Sequence, residues 1–313
     1  MKIIQIIVLL SLFSITYADD RGVRISTKMH KEKRVALVIG NNDYQGVLSK
    51  LRNPINDARA IKNILTSRGF EVIYREDTGK RAMKQAIKEF YTKIKKGGVG
   101  FFYFSGHGIE TDGQNYLIPI DAELDEKGDA EDEAISLNKI TRKMQNAKNR
   151  LNIVVLDACR NDPFSRSAGT GGLAKSEPIG LFVSFSTGAG SVASDGKSGE
   201  NGLFTKSLIK HMQQSLDLQE VFQRTREEVY DASNQRQFPA IYNQTIRGKF
   251  YFTLPDPSTQ TVTLPTQSVE APTPAYNDYE TTSKSISKPN KHSSQSFSDT
   301  MDDDFDSFMN DMK

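Results

Sequence analysis

The chain has 313 residues, with 41 Lys and Arg against 39 Asp and Glu and a formal net charge of +2. The basic residues form no stripe interleaved with aromatics, so there is no electrostatic case for nucleic-acid binding. One cysteine in the whole chain excludes an intramolecular disulfide framework, and the core must hold by burial alone.

The first 18 residues read as a signal peptide. Lys2 precedes an apolar run from Ile3 to Ile15, broken only by Gln5, Ser11 and Ser14, and the small Ala18 precedes Asp19-Asp20. The run is too short for a comfortable membrane span. The mature chain is therefore expected to start near Asp19 and to be exported, periplasmic or secreted; an uncleaved anchor is the alternative. Residues 19–33 form a lead-in.

Residues 34–254 alternate strand and helix signals, the pattern of one domain on an open, mostly parallel β-sheet with helices on both faces. Val35 to Ile39 is an unbroken apolar run closed by Gly40. Asn53-Pro54 opens a helix, Asn as N-cap and Pro at the first helical position. Ile55, Ala58, Ile61 and Leu65 recur at helical spacing, and Gly69 ends it. Glu71 to Tyr74 is a second strand. Met83, Ile87, Phe90 and Ile94 mark a second helix that ends at Gly97-Gly98. Val99 to Phe104 is a third strand, and Tyr116 to Ile120 suggests a short hairpin. Leu137, Ile140, Met144 and Ala147 mark a third helix. Ile153 to Leu156 and Leu181 to Phe185 read as strands, Leu203 to Met212 and Leu218 to Tyr230 as helices. Lys249 to Thr253 closes a sheet of about six strands. Residues 163–179 and 186–202 read as loops.

From Pro255 the composition shifts. Residues 255–313 hold six of the eleven prolines and 4 basic against 10 acidic residues, a net of −6, while residues 19–254 hold 36 basic and 29 acidic, a net of +7. The tail cannot bury enough apolar surface to order itself. Phe297, Met301, Phe305, Phe308 and Met309 alternate with acids at its end. They form either a solubilising tail or a short element that folds onto a partner protein.

Two tetrads carry the chemistry. Ser105-Gly106-His107-Gly108 follows the third strand and Asp157-Ala158-Cys159-Arg160 the fourth. A nucleophile and a base at the carboxyl ends of two buried strands sit where an open α/β sheet places its site. Cys159 would attack as thiolate and His107 would carry a proton to the leaving amine. The N–H groups of Gly108 and Cys159 would hold the oxyanion. No third residue stands out, so a dyad is the economical reading. A buried, inert Cys159 is the plain alternative.

These tetrads resemble the caspase and metacaspase superfamily of cysteine peptidases, in which the His lies about 50 residues before the Cys. The resemblance covers roughly Arg34 to Thr253. Asp157 and Asn161 depart from the Gln-Ala-Cys-Arg-Gly of animal caspases. An Asp two residues before the Cys is similar to metacaspases and their bacterial relatives. So is Asn53-Pro54-Ile55-Asn56-Asp57-Ala58, with an Asp where animal caspases place an Arg. The resemblance implies a caspase-like sheet, endopeptidase activity on protein substrates, and a primary pocket lined by Asp57 and Asp157. Two carboxylates there attract Arg or Lys and repel Asp, so cleavage after basic residues is expected. It also implies that Leu181 to Ser186, including Ser184 and Ser186, pairs with substrate as an added strand. Without it, Asp57 reads as a helix-dipole partner and Asp157 as a strand-end acceptor. The dyad chemistry requires no cofactor. Some metacaspases need calcium, and Asp121, Asp132 and Glu133 lie in the corresponding acidic run, but no metal is assigned.

Two rival functions stand beside this reading. A non-catalytic caspase-like scaffold leaves both His107 and Cys159 idle, and a thiol redox sensor leaves His107 unexplained. A nucleotide-binding fold lacks its phosphate loop, since Gly40-Asn41-Asn42-Asp43 is not one. His211 reads as a favourable charge near a helix end. Arg166, Lys175 and Lys197 are loop positions at which a peptidase specific for basic residues would cut itself.

Overall fold

The computed structural model describes residues 32–46, 48–95, 97–111, 113–159, 180–187, 199–245 and 248–255. The expected leader, the loop at 163–179, residues 188–198 and the acidic tail beyond Pro255 lie outside them, as do Arg166, Lys175 and Lys197. In chain order the elements are β1 (Arg34–Gly40), α1 (Pro54–Ser67), β2 (Glu71–Glu76), α2 (Lys80–Ile94), β3 (Val99–Thr111) and β4 (Gln114–Leu117). A 3-10 turn (Lys127–Asp129) leads into α3 (Ala130–Glu133), β5 (Ile135–Ser136), α4 (Leu137–Asn146), β6 (Leu151–Cys159) and β7 (Leu181–Phe185). Helices α5 (Leu203–Met212) and α6 (Leu218–Ala232) and strand β8 (Ala240–Asn243) complete the set.

The main sheet runs β2-β1-β3-β6-β7-β8. Its strands are parallel except β8, which is antiparallel to β7. All seven residues of β1 are buried, because helices cover both faces. The two-residue period of the strands sorts their side chains between two cores. Ala36, Val38, Phe101, Tyr103, Ile153, Val155 and Phe182 pack with Ala58 and Ile61 of α1, Phe204 and Leu208 of α5, and Val221 and Phe222 of α6. Their neighbours Leu37, Ile39, Phe102, Phe104, Val154 and Leu156 pack with Met83, Ile87 and Phe90 of α2 and Ile140 and Met144 of α4. Helix α1 ends before Gly69, whose φ of +78° suits glycine.

Three expectations need correction. The third strand does not stop at Phe104. It runs on to Thr111 and there folds back on β4, so the hairpin begins earlier than Tyr116 and pairs with the far half of β3. A third small core of Tyr44, Leu48, Ile109, Tyr116, Ile118 and Ala130 forms around this extension. The closing strand is β8, not Lys249 to Thr253, which makes only the single bridge Asp217 to Tyr251. The alternation at Phe250 and Phe252 reflects burial of both rings among Phe70 and Phe101, not sheet pairing. Asn53 also does not cap its helix with its side chain. Its carboxamide oxygen accepts the Gly199 N–H at 3.2 Å, and the Ile55 N–H is taken instead by Asn42 Oδ1 at 2.9 Å.

Candidate active site

Strands β3 and β6 run side by side through the centre of the sheet, and their last register pair is His107 opposite Cys159. The folding of the chain thus brings His107 and Cys159 to neighbouring positions at the carboxyl end of the sheet. The backbones there are about 4.8 Å apart, the ordinary strand spacing.

His107 is held from three sides. Its ring Nε2 lies 2.8 Å from the Ser49 carbonyl, in the segment between β1 and α1. Its backbone N–H donates to the Tyr44 hydroxyl at 2.7 Å, and that hydroxyl donates to the Ile118 carbonyl at 3.2 Å. The Tyr44 ring meets the imidazole edge-on, 4.5 Å between centroids. Tyr44 is itself delivered by a locked turn. Asn41, fully buried, accepts from the Thr78 N–H at 2.9 Å, and Asp77 Oδ1 accepts the N–H groups of Asn42 and Asp43 at 2.7 and 2.9 Å. Burial holds the Tyr44 phenol well above its ordinary pKa, so it stays protonated. Gly106 is required by this packing, because a Cβ there would collide with the Tyr44 hydroxyl and the Phe104 ring.

The Ile118 N–H donates to the His107 carbonyl at 3.0 Å. The next pair, Gly108 and Leu117, is therefore a non-hydrogen-bonded pair of the antiparallel ladder. The Gly108 N–H is turned away from β4, toward the side of β3 on which β6 runs.

The two acidic residues converge on the first turn of α5. Asp57, on α1 and 4 % exposed, accepts the Gly202 N–H on Oδ1 at 2.9 Å. Asp157, near the end of β6, accepts the Thr205 hydroxyl on Oδ2 at 2.7 Å. The Tyr103 hydroxyl lies 2.7 Å from Thr205 Oγ1 and 3.4 Å from Asp157 Oδ2. Burial raises the Tyr103 phenol far above its usual range, and the charges of Asp157 and then Asp57 raise it further. Both carboxylates are thus electrostatically close to one hydroxyl.

The remaining expected site residues lie elsewhere. Strand addition along Leu181 to Ser186 is not available, because β6 and β8 occupy both edges of β7. The Ser186 N–H donates to the Leu156 carbonyl and its own carbonyl accepts from Gln237, so Ser186 is used as well. Ser184 and Ser186 are fully buried, and neither hydroxyl has a hydrogen-bond partner among the described residues. Asp121 receives the Lys80 N–H at 2.7 Å at the start of α2, and Glu133 pairs with the Lys80 ammonium at 3.4 Å. Asp132 is exposed, and among the described residues no three His, Cys, Asp or Glu form a group able to hold a metal ion. His211 is a buried tie between helices, its Nε2 2.8 Å from Glu228. No helix among the described residues is long and apolar enough to cross a membrane.

A family model described as the Caspase domain matches residues 33–251. The chain belongs to the caspase-domain family, a family of cysteine peptidases. The mucosa-associated lymphoid tissue lymphoma translocation protein 1 of Homo sapiens is 31 % identical over 144 residues, covering 46 % of this chain and 17 % of that protein. Caspase-1 of Rattus norvegicus is 24 % identical over 241 residues, 70 % of this chain and 59 % of that protein. Metacaspase-1 of Mycosarcoma maydis is 32 % identical over 123 residues, 33 % of this chain and 30 % of that protein. In each case the chain spans less than two thirds of the relative's length. The caspase domain of this chain also uses residues that its sequence does not advertise. The Ser49 carbonyl has no residue-type signature at all, and Tyr44, Tyr103 and Thr205 look like ordinary strand, turn and helix residues until the fold gathers them.

Proposed function

We propose that this caspase domain is a cysteine endopeptidase that cleaves after Arg or Lys, with Cys159 as nucleophile and His107 as proton carrier. The observation that carries the reading is the register pair of His107 and Cys159 on neighbouring central strands. A backbone carbonyl can only accept, so the nitrogen facing Ser49 carries the imidazole proton and Nδ1 is the one that exchanges with the thiol. The thiol proton passes to Nδ1 and the sulfur bonds to the scissile carbonyl carbon. The carbon–nitrogen bond then breaks as Nδ1 returns the proton to the leaving amine. Water, losing a proton to Nδ1, hydrolyses the thioester. The N–H groups of Gly108 and Cys159 are the donors for the oxyanion.

Asp57 and Asp157 give this site its acidic wall, which favours a guanidinium or ammonium before the scissile bond. The chemistry uses no cofactor. Export follows from residues 1–18, and N-terminal sequencing of the exported protein is expected to begin near Asp19. The decisive experiment measures turnover of a fluorogenic peptide ending in Arg by the wild type and by Cys159→Ala. The variant is expected to melt like the wild type and to turn over nothing. Retained turnover would overturn the assignment.

A further inference from the structure

The first turn of α5 touches both acids: Gly202 reaches Asp57 and Thr205 reaches Asp157. We propose that Thr205 and Tyr103 are positioning residues for Asp157, setting the charge and direction of the carboxylate that receives the basic side chain of the substrate. The inference rests on the specificity assigned above to Asp57 and Asp157.

Counting protons fixes the direction of each bond. An ionised carboxylate only accepts, so the Thr205 hydroxyl proton points at Asp157 Oδ2 across 2.7 Å. Thr205 Oγ1 then has lone pairs to offer, and the Tyr103 hydroxyl at 2.7 Å fills one. The direct contact from Tyr103 to Asp157 is longer, 3.4 Å, and weak. The chain therefore runs from Tyr103 through Thr205 to the carboxylate, each proton pointed toward the negative charge. Such a chain keeps a carboxylate ionised and pins one of its oxygens. Tyr103 and Thr205 are both 0 % exposed, so they act on substrate only through Asp157. Burying a hydroxyl in the middle of a central strand is costly unless it is bonded, and here the bond leads to the specificity acid.

The test compares wild type, Thr205→Val, Thr205→Ser, Tyr103→Phe and Asp157→Asn. The substrates are peptides matched except for Arg, Lys or citrulline before the scissile bond; citrulline has the shape of Arg without its charge. Thr205→Val is expected to lower the Arg-to-citrulline ratio of kcat/KM about tenfold, mainly through KM. It should also move the acid limb of the kcat/KM profile for Arg to higher pH, because a carboxylate that loses a donor protonates more readily. Thr205→Ser should restore both readouts, and Tyr103→Phe should show the same shifts, about threefold in the ratio. If Asp157→Asn collapses the ratio while Thr205→Val and Tyr103→Phe keep the wild-type ratio and acid limb, the positioning role is wrong and the specificity stands. If Asp157→Asn itself leaves the ratio intact, the specificity is wrong and the positioning role falls with it. Should Thr205→Val fail to fold, Tyr103→Phe against wild type decides the same question.

Discussion

The Tyr44 hydroxyl stands between the His107 N–H and the Ile118 carbonyl. It bridges these two groups beside the direct bond from the Ile118 N–H to the His107 carbonyl, and so helps hold His107 at its register position opposite Cys159. Tyr44→Phe removes two hydrogen bonds and leaves the His107 N–H and the Ile118 carbonyl without their bridge. His107 then loses one of the contacts that hold it opposite Cys159. Activity on an Arg peptide is expected to fall about tenfold in kcat with KM little changed, since loosening the proposed proton carrier damages the chemical step. The melting temperature should also drop, because two buried polar groups lose their partner. Wild-type kcat in this variant would contradict the role. His107 and Cys159 stand out in the sequence as a base and a nucleophile at two strand ends, whereas Asp57 and Asp157 stand out only through the resemblance to metacaspases, because a lone Asp at a helix start or strand end has commoner roles. A bridging hydroxyl or a backbone carbonyl does not stand out at all, because tyrosines and carbonyls occur everywhere and only the fold selects one.

At the scale of elements, the five longer helices are legible in the sequence, whereas the short α3 and β5, the extension of β3 and the whole of β8 are not. The apolar faces at Ile61 and Leu65 or Ile87 and Phe90 follow from the helical period. The extension of β3 is hidden because Ser105, Gly106, His107 and Gly108 carry no apolar alternation, yet this segment pairs on both sides. β8 escapes notice because its four residues are half-buried or exposed. Helix α2 has Gly79 as N-cap and takes its cap from Asp121 across the fold. Asp121→Ala is expected to cost about 1 kcal/mol in a denaturant titration; no change in midpoint would show that the cap is idle. Helices α5 and α6 are tied by Glu228, which receives Lys210 at 2.9 Å and His211 at 2.8 Å. Burial pushes the Glu228 carboxyl up, but the bonds from Lys210 and His211 outweigh it, and the group lies below its ordinary value. A carboxyl depressed in the folded state stabilises above its unfolded pKa, and that stability is lost as pH falls through the folded value. Glu228→Gln should therefore lose less melting temperature than the wild type between pH 7 and pH 3. An equal loss would remove Glu228 from the acid response.

At the scale of the whole molecule, the described domain is held by packing, as a chain with one cysteine must be. Phe250 shows where that packing closes. Its ring is 2 % exposed, lies 5.0 Å from the Phe252 ring and is covered by the Arg34 guanidinium at 5.0 Å. Phe250→Ala is expected to cost about 3–5 kcal/mol in chemical denaturation while leaving KM for an Arg peptide unchanged, because Phe250 packs around Arg34 and Phe70, at the far end of β1 from His107 and Cys159. A loss under about 1 kcal/mol would mean the region repacks. The sheet also decides what the molecule cannot do. With β7 enclosed between β6 and β8, substrate is not received as a strand on Leu181–Phe185. Under the proposed function, specificity then depends more heavily on Asp57 and Asp157. The most direct measurement offers two peptides, identical but for Arg or Asp before the scissile bond, to the wild type and to Cys159→Ala. Wild type is predicted to cut only the Arg peptide, and Cys159→Ala to cut neither. Cleavage of the Asp peptide with the Arg peptide left whole, or turnover that survives the loss of the thiol, would contradict the assignment.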